Sequence, residues 1–533
     1  MLDLIVRNGL IVDGTGQTKA WPGEVGVKDG KIAVVAEHIT EEAAEVLDAK
    51  GHYITPGFLD IHRHTDIAVL KENYGEIELR QGITTVVAGQ CGLSIVPCPD
   101  QYKEEMFNFL QPIVGTVPLD CGFSTFAEYI EQVRTHGVPL NYGCCIGNGA
   151  SRMAAKGFSS DFTAEDIKRV QGLIRESLEA GALGVTTGIV YAPECQYTMD
   201  EFVQVLAPMR EFGVPLVTHI RGEGDTLQSS LREVVEIAER VGVPLHVSHF
   251  KNVGKQNWGH NLDGAFQILY DARARGMDVT WDCYPYTAGA TQMIQYLPPD
   301  YLEGGLEETT KRLADPEKRA KLKDILSKHQ DYFENMLLAS GWDKTIITSV
   351  TKPENEQYIG LTVTELAEKL GKDPYDAAFD LLVDEHCFVG MVNFTASEED
   401  NRRIVKDPYT CIISDTLCTE NGLPHPRVYG TFPRVLETFV REEKLLTLEE
   451  AIMKITSVAA KVYRLDTKGL LKPGMDADLV VFDLDKIHTG ASYTDSKVLA
   501  TGYDYVIVNG AVTVKDDQLL PNVKNGKILL NKR

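Results

Sequence analysis

In the stretch GFLDIHRHTD, residues 57–66, His62 and His64 stand two apart, with Asp66 two further on. Residues at i, i+2 and i+4 of a strand share one face. At a strand's end the two imidazoles can therefore point the same way, which suits a metal ion. A polar strand end that happens to hold two histidines is the alternative for this stretch taken alone. The elements that carry the other candidate residues decide between them.

The chain has 533 residues, too many for one ordinary domain and enough for a large one with appendages. Hydrophobic residues make up 43% and charged residues 24%, as in soluble globular proteins. A net charge of −24 repels nucleic acid and anionic membranes, so neither is an expected partner. The start, MLDLIVRNGLIVDG, lacks a basic opening and a small-residue cleavage site, and reads as an alternating strand and turn. No uninterrupted apolar run is long enough to span a bilayer. Ten cysteines without a repeated spacing do not suggest a disulfide framework, and a reducing cytoplasm is the expected setting.

Residues 1–56 carry short strands with the turn signals RNG, KDGK and DAKG. Residues 466–533 have the same texture in LVVFDLDKI and YDYVIVNGAVTVKDD. The two ends are expected to pair into one small β-sandwich domain, since either alone would expose sheet edges. Between them, over 57–465, apolar strands alternate with amphipathic segments. The strands are ITPGFLDIH, ITTVVAGQC, LNYGCCIGN, ALGVTTG, VPLVTH, VPLHVSH, MDVTWDCY and CIISD. TAEDIKRVQGLIRESLEAG and TLQSSLREVVEIAERVG are helical and end at glycine, as a C-cap would. The alternation predicts an α/β fold, a (β/α)₈ TIM-like barrel. A doubly wound open sheet is the alternative, but its glycine-rich phosphate turn is missing. A charged helical insertion after strand seven, about 297–344, would lie at the barrel mouth and could cover it.

In such a barrel, polar residues at the carboxyl ends of strands converge. His62 and His64 end strand one, Cys91 strand two, His219 strand five, His249 strand six and Asp415 strand eight. Three strands' histidines, a thiolate and a carboxylate suit zinc. His246, three before His249, should face the other way and be structural. Cys144, Cys145 and Cys283 read as buried hydrophobes. His425 is expected on a loop that shapes the pocket.

These residues and motifs together resemble the amidohydrolase superfamily, and within it the N-acyl-D-amino-acid deacylases (D-aminoacylases). The resemblance runs through TPGFLDIHRHTD, VVAGQCGLSIVP, GALGVTTGIVYAP, THIRGE, VSHFK, DCYPYTAGAT, FVGMVNFTASEED, ISD, HPRVYGTFPRVL and KGLLKPGMDADLVVFD. The first and last are general to the superfamily. The cysteine after strand two, SHFK, YPYTAG and HPRxxGTFPR are specific to the deacylases. The resemblance implies zinc held by Cys91, His219 and His249, with a second, often weaker position at His62, His64 and the shared Cys91. It implies Asp415 as catalytic acid/base, and a substrate α-carboxylate held by Lys251, Tyr191, Tyr284 and Arg427. The chain departs from the family at Gln90, Asn148 and Thr416, positions expected near the pocket that bear on substrate choice.

The implied reaction is hydrolysis of an N-acyl-D-amino acid, a small-molecule substrate. Zinc can lower the pKa of its water from ~15.7 to about 7, and a carboxylate beside that water can take a proton and later pass it to the departing nitrogen. Asp415 is the strand-end carboxylate placed for both steps, with a purely metal-binding role as the alternative. Asp66 and Glu223 are expected to orient a histidine N–H. A cyclic-amide hydrolase of the hydantoinase or dihydroorotase type would need a bridging lysine on strand four, and GALGVTTGIVYA has none. A deaminase would not need Cys91 or the Lys251 and Arg427 pair. A non-catalytic binding relative on the same fold is the remaining alternative, and retention of every implied ligand argues against it. The side-chain pocket is expected around Gln292–Tyr296 and the insertion.

Overall fold

Two sheets of parallel strands form the centre of the protein, whose computed structural model describes residues 1–418 and 422–532. One sheet orders Phe58–Asp60, Ile83–Ala88, Asn141–Cys144 and Ile528–Leu529. The other runs Ile146–Gly147, Val185–Gly188, Leu216–His219, Leu245–Val247, Val279–Cys283 and Thr410–Ile412. The strands are short and almost wholly buried, as expected of parallel strands covered by helices. Hydrogen bonds join the two sheets at both margins. On one side Leu183 N–H donates to Cys144 O at 3.0 Å; on the other Asp415 N–H donates to His62 O at 3.0 Å and His64 N–H to Thr416 O at 2.9 Å. All eight expected central strands are present.

The helices between them follow their sequence signals. Thr163 caps Ala164–Glu179 in a reciprocal bond with Asp166, and the chain leaves that helix through Gly181 at φ +101°. Leu227–Val241 ends at Gly242, φ +79°, the left-handed C-cap for which glycine pays no Cβ penalty.

Both ends of the chain enter one nine-stranded sheet. The junction is antiparallel, with Tyr53–Pro56 against Leu479–Phe482 in the register Leu479↔Pro56 and Phe482↔Tyr53. Val6, Val25, Ile54, Val481 and Ile507 share its buried core. The carboxyl-terminal end does not stay there. Ile528–Leu529 crosses to the central strands and pairs in parallel with Tyr142 and Gly143.

The segment after the seventh central strand holds the expected helices: Pro299–Leu302, Gly305–Ala314, Pro316–Leu326 and Met336–Ser340. It also holds an antiparallel sheet the sequence reading did not anticipate, ordered Ala288–Gln292, Gly390–Phe394 and Thr345–Ser349. This segment is therefore a helical excursion hung from a small sheet.

Candidate active site

The carboxyl ends of the central strands bring His62, His64, Cys91, His219, His249 and Asp415 together. Cys91 Sγ lies 3.3 Å from His62 Nε2 and 3.5 Å from His249 Nε2. Two triads, His62/His64/Cys91 and Cys91/His219/His249, each place one donor atom per residue within 4.8 Å of the others. Asp415 Oδ1 sits 3.5 Å from His62 Nε2 and 3.4 Å from His64 Nε2. Three of these residues have left-handed backbone: Cys91 at φ +54°, His249 at +34° and Asp415 at +50°. Such conformations cost a non-glycine residue about 1–2 kcal/mol each and persist where the surroundings over-determine them.

Carboxylates behind the histidines set which ring nitrogen faces inward. Glu223 Oε1 accepts from His249 Nδ1 at 3.0 Å, which turns Nε2 toward Cys91. Asp282 Oδ2 takes His246 Nε2 at 2.9 Å and lies 3.4 Å from His62 Nδ1, while its Oδ1 accepts the His249 N–H. Asp282 thus grips two strand ends at once. The sequence reading missed it, although an aspartate inside an apolar strand, two before Tyr284, was the available signal. His246 is in neither triad; it bonds Thr280 and Asp282, the carboxylate it shares with His62. Asp66 does not orient a histidine. It accepts the Gly89 N–H at 3.4 Å, and burial pushes its carboxyl up to about 6.

The thiol and the carboxyl are held in the ionised forms that ligation needs. Burial alone would raise the Cys91 thiol, but the His62 charge and bonds from His219 and His249 hold it well below its ordinary range. Burial likewise raises Asp415, and the Arg427 guanidinium with the His64 bond overcomes this and keeps it a carboxylate. Thiolate, imidazole and carboxylate are the donors zinc takes, and the buried cluster supplies all three kinds.

The residues implied for substrate binding surround this cluster. Tyr191 OH lies 3.3 Å from His219 Nδ1. Lys251 Nζ bonds Glu223 Oε1 at 2.5 Å and sits 5.7 Å from the Tyr284 ring centre. Arg427 Nη1 pairs with Asp415 Oδ2 at 2.9 Å, its guanidinium 4.7 Å from the centre of the same tyrosine ring. Lys251, Tyr191 and Tyr284 line the cavity over the cluster, together with apolar Leu93, Val190 and Met336. Gln295 lines it too, whereas the Gln292 amide donates to Phe109 O at 3.0 Å and is turned away. His425 is buried behind Arg427 and accepts its backbone N–H at 2.9 Å.

The three departures from the family pattern are not at the cavity. Gln90 donates to Ile61 O at 3.0 Å and Tyr463 OH at 3.1 Å, Asn148 to Glu194 Oε1 at 2.6 Å, and Thr416 bonds Ser414 at 2.7 Å. None of the three is among the residues that line the cavity over the cluster.

A model of the amidohydrolase family matches residues 45–514. This chain belongs to the amidohydrolase family. Within it, the amidohydrolase is 31% identical to a D-aminoacylase of Alcaligenes xylosoxydans xylosoxydans over 99% of this chain and 97% of that protein. It is 30% identical to an N-acyl-D-glutamate deacylase of the same organism over 99% and 96%. The crystal structure of N-acyl-D-glutamate deacylase from Bordetella bronchiseptica, complexed with zinc and a phosphonate mimic of the tetrahedral intermediate, superposes with a TM-score of 0.84 at 29% identity, covering 99% of each chain. No helix of this amidohydrolase among the described residues is long and apolar enough to cross a membrane.

Proposed function

We propose that the chain is a zinc-dependent hydrolase of N-acyl-D-amino acids, releasing a carboxylate and a free D-amino acid. The observation that carries this reading is the buried cluster: Cys91 shared between two histidine pairs, with Asp415 at its edge. Cys91, His219 and His249 would hold the tighter zinc, and His62, His64 and Cys91 a second position. Zinc in such a site supplies a Lewis acid and a water acidic enough to attack an amide at neutral pH.

The chain's own residues do the rest. Asp415, kept ionised by Arg427, is free to accept the water's proton, hold it at Oδ1 beside His62 and His64, and pass it to the departing nitrogen. Lys251 and Arg427 both lie near the Tyr284 ring, and with Tyr191 they would form a clamp for the substrate's α-carboxylate. Glu223 faces the outer ring nitrogen of His249 and Asp282 that of His62, which orients both rings with Nε2 inward.

The reading includes the architecture around the site. The parallel strands form a (β/α)₈ barrel over 57–465, supported by the bonds at both sheet margins. Residues 1–56 and 466–533 build a flanking β-sandwich, with the last strand returning to the barrel. The insertion at about 297–344 acts as a lid, since Met336 lines the cavity. All ten cysteines are free thiols, in keeping with a reducing cytoplasm.

The test is a zinc assay of the purified chain and a panel of N-acyl-D- and N-acyl-L-amino acids beside hydantoins. Zinc with turnover of the D series supports the proposal. Zinc with no amide turned over makes the protein a binding relative, and turnover of hydantoins alone makes it a cyclic-amide hydrolase.

A further inference from the structure

We infer that Glu334, on the insertion, is a positioning residue: its carboxylate seats on the backbone of Gly222–Glu223–Gly224 and fixes the loop that aims Glu223 at His249 and Lys251. The inference rests on the function proposed above and names a residue that acts on the site from outside it.

Glu334 Oε2 accepts the Glu223 N–H at 2.6 Å, and the Gly224 N–H also faces the carboxylate. The seat exists because both flanking residues lack a side chain. A Cβ at Gly222 would stand 2.4 Å from Glu334 Oε2, and one at Gly224 2.4 Å from Glu334 Oε1. Neither glycine is at positive φ, so close approach, not backbone conformation, is what glycine provides here. The RGEG motif is thereby explained as a cradle for a carboxylate that arrives more than a hundred residues later in the chain.

Among the described residues no ion pair holds Glu334 there. The charged neighbours that act on it are Glu223 and Asp225, both acidic, and burial pushes its carboxyl up to about 7. The backbone donors are its partners. Next to it, Asn335 donates to Leu326 O at 2.9 Å and to Lys328 O at 3.0 Å, which ties the seat to the insertion's helices. Met336 then enters the cavity.

Glu223 is consequently gripped at three points. Its N–H goes to Glu334, its C=O accepts from Val253 N–H at 2.8 Å, and its Oε1 receives His249 Nδ1 and Lys251 Nζ. Releasing the first point lets the carboxylate drift while the strand-borne ligands stay put. His249 and Lys251 share that carboxylate oxygen, but His249 is also held through its backbone N–H by Asp282, so the loss should fall mainly on Lys251 and on substrate binding.

The experiment compares full-length, zinc-loaded parent, Glu334→Ala and Glu334→Gln on the N-acyl-D-amino acid that the parent turns over best. For Glu334→Ala, KM is expected to rise about 10- to 100-fold with little change in kcat and unchanged zinc per chain. Glu334→Gln keeps one acceptor and should recover most of the loss. A KM within twofold of the parent overturns the inference, as does a glutamine variant as impaired as the alanine one, or a loss of zinc that accompanies the defect. Limited trypsin digestion reads the same seat without substrate. Cleavage after Lys323 or Lys328 should be faster in Glu334→Ala, and equal rates overturn the inference. A parent that hydrolyses no N-acyl-D-amino acid sinks the function proposed above, while the protease comparison still decides whether the seat holds the insertion.

Discussion

Arg427 Nη1 lies 2.9 Å from Asp415 Oδ2, and both side chains are buried. The pair keeps a carboxylate charged beside the histidine cluster, and it ties the proposed acid/base group to a member of the proposed substrate clamp. Asp415→Asn should lower kcat about 10²- to 10⁴-fold while zinc content stays at the parent level. Retained activity would move the proton-handling role elsewhere. Arg427→Ala strands a buried charge and should cost about 3–5 kcal/mol of stability, measurable by urea denaturation. Arg427→Lys keeps the charge but loses the fork, so its KM should rise with a much smaller loss of stability.

Cys91 belongs to both triads, so its loss should empty both. Cys91→Ala is expected to fall to well under one zinc per chain by metal analysis after gel filtration, with activity lost in parallel. Cys91→Ser, a harder and weaker ligand, should bind zinc only at raised metal concentration. An alanine variant that kept its zinc and its turnover would dismantle the site as drawn here.

Asp282 touches no candidate substrate group, yet it meets His62, His246 and the His249 backbone. Asp282→Asn should weaken zinc binding about 10- to 100-fold in competition with a chelator. His246→Ala is expected to show a milder version of the same defect. An unchanged affinity in Asp282→Asn would restrict this carboxylate to a packing role.

Glu194 supplies a pH-dependent contribution away from the ligands. It is buried, bonded to Asn148 Nδ2 at 2.6 Å and to the Gly188 N–H at 2.8 Å, and burial pushes its carboxyl up to about 7. Its folded pKa is above the unfolded value of about 4.5, so the protonated form favours the fold. The contribution is full below about pH 4.5 and is lost as pH rises through about 7. Glu194→Gln loses one acceptor but cannot ionise. Its deficit in Tm relative to the parent should therefore shrink between pH 5 and pH 8, and a constant deficit would contradict the assignment.

The candidate cluster was legible because strand alternation and the carboxyl-end rule are local. His62, Cys91, His219, His249 and Asp415 each close an apolar run, and the fold needs only to align those ends. Glu223 was legible as a polar residue just past a strand. Asp282 was not singled out, because an acid within a strand gains meaning only from the histidines of neighbouring strands. The antiparallel sheet of Ala288–Gln292, Thr345–Ser349 and Gly390–Phe394 escaped notice for a similar reason: its partners are separated by helices, and no tight turn announces the pairing. The left-handed backbone at Cys91 has no signature in residue type, and at His249 and Asp415 the types are enriched there but occur far more often in other conformations.

The junction of Tyr53–Pro56 with Leu479–Phe482 also has a temporal consequence. On the ribosome the early strands are made long before their late neighbour, and they must wait with one margin open while the entire catalytic domain is translated. An open margin is a template for foreign strands. A chain released before residue 479 should therefore clump instead of accumulating as a smaller working enzyme, and slower translation of the middle segment should lengthen the hazardous interval.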